Sequence, residues 1–269
     1  MLRMFKTALA ALVTTAATST PAAADTQKQS VSASAETEDF SQDLGSLRSV
    51  KIEYKLDAED TTVTFTPVVG ERKSSVFSET SIGAGLAVYQ TWSPVLSTRT
   101  VAFISENDPV FAQYDVAHDF SARVANNTVF TAGGRWARFF GKTDVYFASA
   151  GARQYFKRGS VAYRLSLIDP KGRQPFLAHL INLSLKDRRG AGQTRIWLSA
   201  GEASFSRPQL GDQFGGSDIG GTIQRVQPVT EKLALTLTAG LNRYGRPGED
   251  VTSTTLGLGL TTTFGEQDR

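Results

Sequence analysis

Cysteine is absent from this 269-residue chain, and histidine and methionine each occur only twice. The absence of cysteine excludes a disulfide framework and every metal site that needs a thiolate ligand. The two histidines have no further ligands at a spacing suited to zinc, so a metal centre is not expected either. The sequence therefore predicts a protein without a metal or other cofactor.

Long apolar runs are also scarce, and the longest lies at the start of the chain. Ala8 to Ala17 is too short to cross a bilayer as a helix, which needs about 20 apolar residues. This run follows Arg3 and Lys6 and precedes three small residues, Ala22 to Ala24, as in a secretory signal. We therefore predict a cleaved signal peptide over residues 1–24.

Charge of one sign does not dominate, because 29 Lys and Arg face 26 Asp and Glu for a net charge of +3. No basic cluster with interleaved aromatics is present, so nucleic acid is not an expected partner. The segment 25–47 is rich in serine, alanine, threonine and acids, with Phe40 as its one aromatic residue. Such a composition buries little apolar surface and predicts a flexible periplasmic linker.

What the chain does have is apolar and polar residues in alternation from residue 48 onward. In the closing stretch, Leu256, Leu258 and Leu260 share one face, while glycines and threonines occupy the other. Thirteen stretches alternate in this way, at about 9 to 13 residues each, the length of a tilted strand that crosses a bilayer. Aromatic residues gather near the ends of these stretches, as in the interfacial girdles of a membrane barrel. The residues predicted to form the girdles are Trp92, Phe103, Phe120, Phe139, Phe140, Tyr155, Phe156, Phe176, Phe205, Tyr244 and Phe264.

These features predict a transmembrane antiparallel up-and-down β-barrel over residues 48–264, followed by a C-terminal tail, 265–269. A bacterial single-chain barrel has an even number of strands. We therefore expect about 12 strands, with one of the thirteen candidates either wrongly divided or not a strand, most readily between Arg48 and Ile104.

The middle of the chain resembles the YaiO-like family of outer-membrane β-barrels. The resemblance is carried by AGARQYF at 150–156, VAYRLS at 161–166 and LAHL at 177–180, and it extends over about 48–264. It implies an outer-membrane location, a surround of outer-membrane lipid and insertion by the barrel-assembly machinery. It also suggests a link to envelope polysaccharide, and it supplies no catalytic residues.

A group of charged residues is predicted to face the barrel lumen. Its members are Arg135, Arg153, Arg164, Arg195, Asp115 and Asp119. One interpretation is a charged constriction that orients anionic or sugar solutes. The other is a barrel interior filled by paired polar side chains.

Three functions remain open on the sequence alone. The first is a non-enzymatic barrel with a structural, narrow-pore or export role. The second is an outer-membrane enzyme that modifies lipid or lipopolysaccharide, for which His118 and Ser121 would have to form a base and nucleophile pair. The third is a secreted soluble β-sheet protein that binds carbohydrate.

Overall fold

A computed structural model describes residues 28–264 except for 107–109, 140–142, 173, 189–191, 203–216 and 247–248. The predicted signal peptide, 1–24, and the predicted tail, 265–269, lie outside the described residues. Among the residues that are described, no helix is long and apolar enough to cross a membrane.

Fourteen strands form one closed antiparallel barrel in which β1 pairs with β14. In chain order the strands are β1 (Lys28–Phe40), β2 (Gly45–Ala58), β3 (Thr61–Lys73), β4 (Ser78–Thr91), β5 (Leu96–Ser105), β6 (Tyr114–Ala125), β7 (Thr128–Phe139), β8 (Thr143–Phe156), β9 (Gly159–Pro170), β10 (Phe176–Lys186), β11 (Gln193–Glu202), β12 (Ser217–Pro228), β13 (Leu233–Arg246) and β14 (Glu249–Phe264). Each strand pairs with its neighbours in the sequence, which is the predicted up-and-down order.

The apolar face of each strand lies on the outside of the barrel. In β14, Leu256 is 57% exposed and Leu258 is 55% exposed, while Gly257 between them faces the lumen. A soluble sandwich would bury such leucines between two sheets. Their exposure in a continuous outer band instead suits contact with acyl chains, as in transmembrane barrels.

The predicted strand number and the predicted linker are both wrong. All thirteen candidate strands are present, as β2 to β14, and the residues expected to be a flexible segment, 25–47, contain β1 and the start of β2. The barrel thus reaches an even number of strands by having one strand more than the thirteen candidates, and not one fewer. The sequence did not indicate β1, because its outward-facing residues include Ala33, Ala35 and Thr37, which are small and only weakly apolar. Backbone pairing with β14 and β2 holds this strand in place.

Replacement of Ala33 by proline should prevent stable closure of the barrel. Ala33 is paired with Leu260 of β14 and Ile52 of β2, so proline would interrupt a strand that has neighbours on both sides. An unpaired backbone group costs about 1–3 kcal/mol. Heat-modifiable gel mobility should be lost or weakened in Ala33→Pro. Ala33→Val is the matched control and should retain it, whereas normal closure of the proline variant would mean that β1 is dispensable.

The lengths of the connections distinguish the two ends of the barrel. At the end where β1 begins and β14 finishes, the strands are joined by short turns such as 59–60, 126–127 and 157–158. The opposite end carries the longer connections, 106–113 and 203–216. Short turns face the periplasm in outer-membrane barrels and longer loops face outward. We therefore call these the periplasmic and external ends.

Candidate functional site

The structure places all six predicted site residues on the inner face of the barrel wall. Each alternates with an outward-facing neighbour, and together they span β6 to β11: Asp115 and Asp119 on β6, Arg135 on β7, Arg153 on β8, Arg164 on β9 and Arg195 on β11. They do not form one cluster. Four of them form two arginine–aspartate ion pairs, and the other two arginines bond to uncharged side chains.

Asp115 and Arg135 form the first pair. The Nε of Arg135 donates to one carboxylate oxygen of Asp115 at 2.8 Å, and Nη2 donates to the other at 2.6 Å. The guanidinium also lies over the ring of Phe147, 4.6 Å from its centroid. Such a two-point bond fixes the orientation of the arginine as well as its charge.

Asp119 is the centre of the second group. Arg164 Nη2 donates to its Oδ1 at 2.5 Å, and Arg99 Nη1 lies 3.6 Å from its Oδ2. Arg164 is on β9, three strands away from Asp119 on β6. Its side chain crosses the two strands between them, β7 and β8, where Gly133 and Gly151 have no side chain. A Cβ on Gly133 would lie 2.1 Å from Asp119 Oδ1. Glycine is therefore required at this point by close approach.

Alanine at Gly133 should destabilise the barrel, and alanine at Gly134 should not. The added methyl group at Gly133 would displace Asp119 and weaken its bond to Arg164, and overpacking of this kind costs about 1–3 kcal/mol. Gly134 faces outward, and its nearest non-adjacent atom to a new Cβ, Phe147 O, is 3.5 Å away. Urea unfolding of Gly133→Ala and Gly134→Ala in detergent measures the difference, and equal midpoints would contradict the account.

The remaining two predicted arginines are bonded to neutral oxygens. Arg153 Nη1 donates to Ser160 Oγ at 2.9 Å, and Arg195 Nη2 donates to Gln193 Oε1 at 3.0 Å. Among the described residues, no carboxylate oxygen lies within 4.0 Å of either guanidinium.

Sequence reasoning missed several charged residues of the lumen. Arg99 joins the Asp119 group, and on the opposite wall Lys51, Glu53 and Lys55 of β2 face inward. The signal for the β2 residues was present, because they alternate with the apolar residues of the same strand. Pairing across distant strands, as between Asp119 and Arg164, has no sequence signal.

The lumen contains two adjoining polar cavities. The first is about 790 Å³ and the second about 740 Å³, and both are lined by Glu53 and Arg195. The wall of the first from β11 to β14 is rich in serine, threonine and glycine, and it includes the indole of Trp197. Such a lining suits water and small hydrophilic solutes rather than lipid.

A short segment from the β5–β6 connection fills the external end of the lumen. We call Val110, Phe111 and Ala112 the plug. Val110 is fully buried in a cluster with one inward-facing residue from each of β1, β2, β13 and β14: Phe40, Leu47, Tyr244 and Val251. The plug therefore reaches across the barrel from its own strands to the wall on the far side.

The other two plug residues contact the remaining wall. Ala112 is buried in a second cluster with side chains of β7, β8 and β9: Ala137, Phe139, Val145 and Ile168. Phe111 packs edge-on against Phe103 of β5, with ring centroids 6.0 Å apart, and a Cβ on Gly70 of β3 would lie 2.6 Å from its ring. Apolar contacts on several sides thus close the external mouth around the plug.

Hydrogen bonds hold both flanks of the plug to the wall. Ser105 Oγ donates to the carbonyl oxygen of Ala112 at 2.7 Å, and the amide of Gln113 donates to that of Arg138 at 2.8 Å. On the other flank, the amide of Glu106 donates to Ile82 O at 3.1 Å.

The structure contradicts the predicted position of several aromatic residues. Phe103, Phe139, Phe176 and Tyr244 were expected in interfacial girdles because they lie near strand ends. They face inward instead, and Phe139 and Tyr244 are almost fully buried around the plug. Phe140 and Phe205, also expected in the girdles, lie outside the described residues.

The structure does not bring His118 and Ser121 together. The imidazole of His118 is on the outer face, where Nδ1 is 2.8 Å from Thr100 Oγ1, whereas Ser121 Oγ is on the inner face, 3.0 Å from Thr131 Oγ1. The barrel wall separates them, so the hypothetical base and nucleophile pair is not formed. Among the described residues, no group of three His, Asp or Glu side chains could hold a metal ion.

Asp187, in the turn after β10, forms an ion pair with Arg225 at the periplasmic end. Arg225 Nη1 donates to its carboxylate at 2.8 Å, and this hydrogen bond holds the pKa of Asp187 below its ordinary value. Arg225 faces outward near the end of β12, so its charge is matched where the wall meets the headgroup region.

A closed barrel with an apolar outer band and a polar lumen is the architecture of a bacterial outer-membrane protein. The family model described as the YaiO membrane beta barrel domain matches residues 28–204, and its match begins at the first residue of β1. The chain therefore belongs to the YaiO membrane β-barrel family, and it is an outer-membrane protein.

Solved outer-membrane proteins share the fold at low sequence identity. A deltaS2 mutant of the TodX monoaromatic hydrocarbon channel is 9% identical, with a TM-score of 0.57, and the match covers 91% of each chain. Omp33 of Acinetobacter baumannii is 10% identical, with a TM-score of 0.52, over 88% of this chain and 99% of that one. A bacterial polysaccharide outer membrane secretin is 8% identical, with a TM-score of 0.51, over 89% and 99%. At these identities the likeness concerns the fold alone.

Proposed function

We propose that this protein is a non-enzymatic outer-membrane passage for small hydrophilic solutes, with a lumen open to the periplasm and closed by the plug. One observation carries the proposal: a solvent-accessible polar lumen ends at a mouth packed with apolar side chains. Inward-facing residues of the periplasmic half, such as Lys28, Tyr89 and Arg123, are exposed to solvent. The buried apolar residues, in contrast, lie at the external end around the plug.

The side chains of the lumen support binding and passage rather than catalysis. Arg135 and Arg164 are each held by a carboxylate, so they present a fixed field and not a reactive group. The separation of His118 from Ser121 removes the motive for a lipid hydrolase. A narrow passage needs only the polar wall and a plug that can leave its site.

A link to surface polysaccharide is a narrower form of the same proposal. Its support is the family resemblance, together with the likeness in fold to a polysaccharide secretin. Deletion of the gene, followed by measurement of surface and released glycan, tests this link. Unchanged glycan in the deletion strain would remove polysaccharide from the proposal and leave the passage itself.

Planar-bilayer recording tests the passage. The native protein should be closed for most of the time, and a variant with an opened mouth should show discrete conductance steps. Continued silence of the opened variant, with correct folding, would leave only a structural role.

A further inference from the structure

Positive charge collects inside the periplasmic mouth of the lumen. Inward-facing lysines and arginines lie at or near the periplasmic ends of six strands. These residues, which we call the basic ring, are Lys28, Lys55, Arg123, Arg153, Lys186 and Arg195. They come from β1, β2, β6, β8, β10 and β11, so the charge surrounds the opening rather than covering one side of it.

Most of this charge is not neutralised by the protein. Lys55 is paired with Asp57 at 2.6 Å, and Lys28 lies beside the same aspartate in the β1–β2 register. Arg153 and Arg195 donate to a serine and a glutamine, as described above. In the part of the chain that the structure describes, no salt bridge is formed by Arg123, Arg153, Lys186 or Arg195.

Charges in the neighbouring turns do not cancel the excess. The described turns at this end contain four acids and four bases: Glu59, Asp60, Asp187, Glu231, Lys157, Arg158, Arg188 and Lys232. Inside the lumen, Asp115 and Asp119 are bonded to arginines, and the other acids that line the first cavity, Glu36, Glu53 and Asp218, lie farther from this mouth. The mouth is thus left with a net positive field.

We infer that the basic ring is an anion-binding vestibule, which takes solutes bearing carboxylate or phosphate groups from the periplasmic side. The ring residues point into the lumen, so the phosphates of surrounding lipid cannot be their partners. Low-dielectric walls lined by one sign of charge concentrate counter-ions. An anion drawn in here would move toward Trp197 and the first cavity and stop at the plug. This inference rests on the proposed passage only for the direction of entry, because binding needs no conduction.

Quenching of Trp197 fluorescence can test the vestibule without an open channel. Trp92 and Trp136 are outside the lumen, so a Trp92→Phe and Trp136→Phe background leaves Trp197 as the reporter. In detergent at low salt, iodide should quench Trp197 on the order of tenfold more effectively than caesium, relative to a free indole. At about 1 M salt the Debye length falls to about 3 Å, and the preference should largely disappear.

Two matched variants separate the ring from general surface charge. Arg153→Gln with Lys186→Gln should reduce the iodide preference several-fold, whereas Lys157→Gln with Arg158→Gln removes the same charge from a turn and should leave it unchanged. Equal effects of both pairs, or no iodide preference in the native background, would overturn the inference.

Protection experiments identify the anionic group. Citrate or inorganic phosphate should shield Trp197 from iodide, and the more effective of the two indicates whether carboxylate or phosphate is preferred. Shielding by neither would overturn an anion-binding site. Failure of the passage in bilayer recordings would not affect these quenching results, so the two proposals fail separately.

Discussion

Replacement of both Val110 and Phe111 by aspartate should convert a mostly closed barrel into a conducting one. Val110 is fully buried among apolar residues of four strands, and Phe111 packs on Phe103. A buried unpaired charge costs several kcal/mol, and about 1.4 kcal/mol is a factor of ten in an equilibrium. The open fraction should therefore rise by more than about a hundredfold. Planar-bilayer recordings should then show steps that the native protein rarely shows.

Controls distinguish opening of the mouth from damage to the barrel. Val76→Asp adds a charge to the β3–β4 connection at the same mouth, where the side chain is 86% exposed and outside the plug. It should remain as quiet as the native protein. Heat-modifiable mobility should be retained by the double variant, because the fourteen-strand ladder is unchanged. A folded double variant that stays silent would contradict the assignment of the plug as the closure.

Arginine at Leu86 should destabilise the protein strongly, while arginine at the next residue should be tolerated. Leu86 is near the middle of β4, 46% exposed on the outer wall, and paired with Phe65 and Ala102 on the same face. Arginine facing lipid near the bilayer midplane costs about 2–4 kcal/mol. Ala87 faces the second cavity, where a long polar side chain meets water. Its replacement should change stability by about 0.5 kcal/mol or less.

Unfolding of Leu86→Arg and Ala87→Arg in lipid vesicles measures this contrast. The two variants add the same residue one position apart, so differences in composition and local backbone are small. If Ala87→Arg were instead the less stable variant, Ala87 would face lipid and Leu86 the lumen, which would contradict the structure. Equal stability would mean that the leucine band does not face acyl chains.

The period-two alternation made most of the fold predictable from sequence. It located β2 to β14 and the outward face of each, because lipid contact demands large apolar residues at every second position of a membrane strand. It failed at β1, where Ala33, Ala35 and Thr37 occupy that face. There the strand is held by its backbone pairing with two neighbours, and residue hydrophobicity gives little signal.

The lumen was predictable in part and for a related reason. Alternation indicates which charged residues face inward, but it does not indicate their partners across strands. Arg164 reaches Asp119 over two glycine positions, and Arg99 joins from a third strand. The plug was not predictable, because its three residues directly follow the turn-forming sequence Glu106-Asn107-Asp108-Pro109 and so resemble part of an ordinary loop. Its burial depends on side chains that come from both ends of the sequence.

Sided cysteine labelling tests the central claim most directly, since the native chain has no cysteine. Ser34→Cys places a thiol on the lumen wall, and Ser75→Cys places one on the external β3–β4 connection. A membrane-impermeant maleimide should label the thiol at position 75 in intact cells, and should label the thiol at position 34 only after the outer membrane is permeabilised. Equal labelling of both in intact cells would show that the external mouth is open and contradict the account.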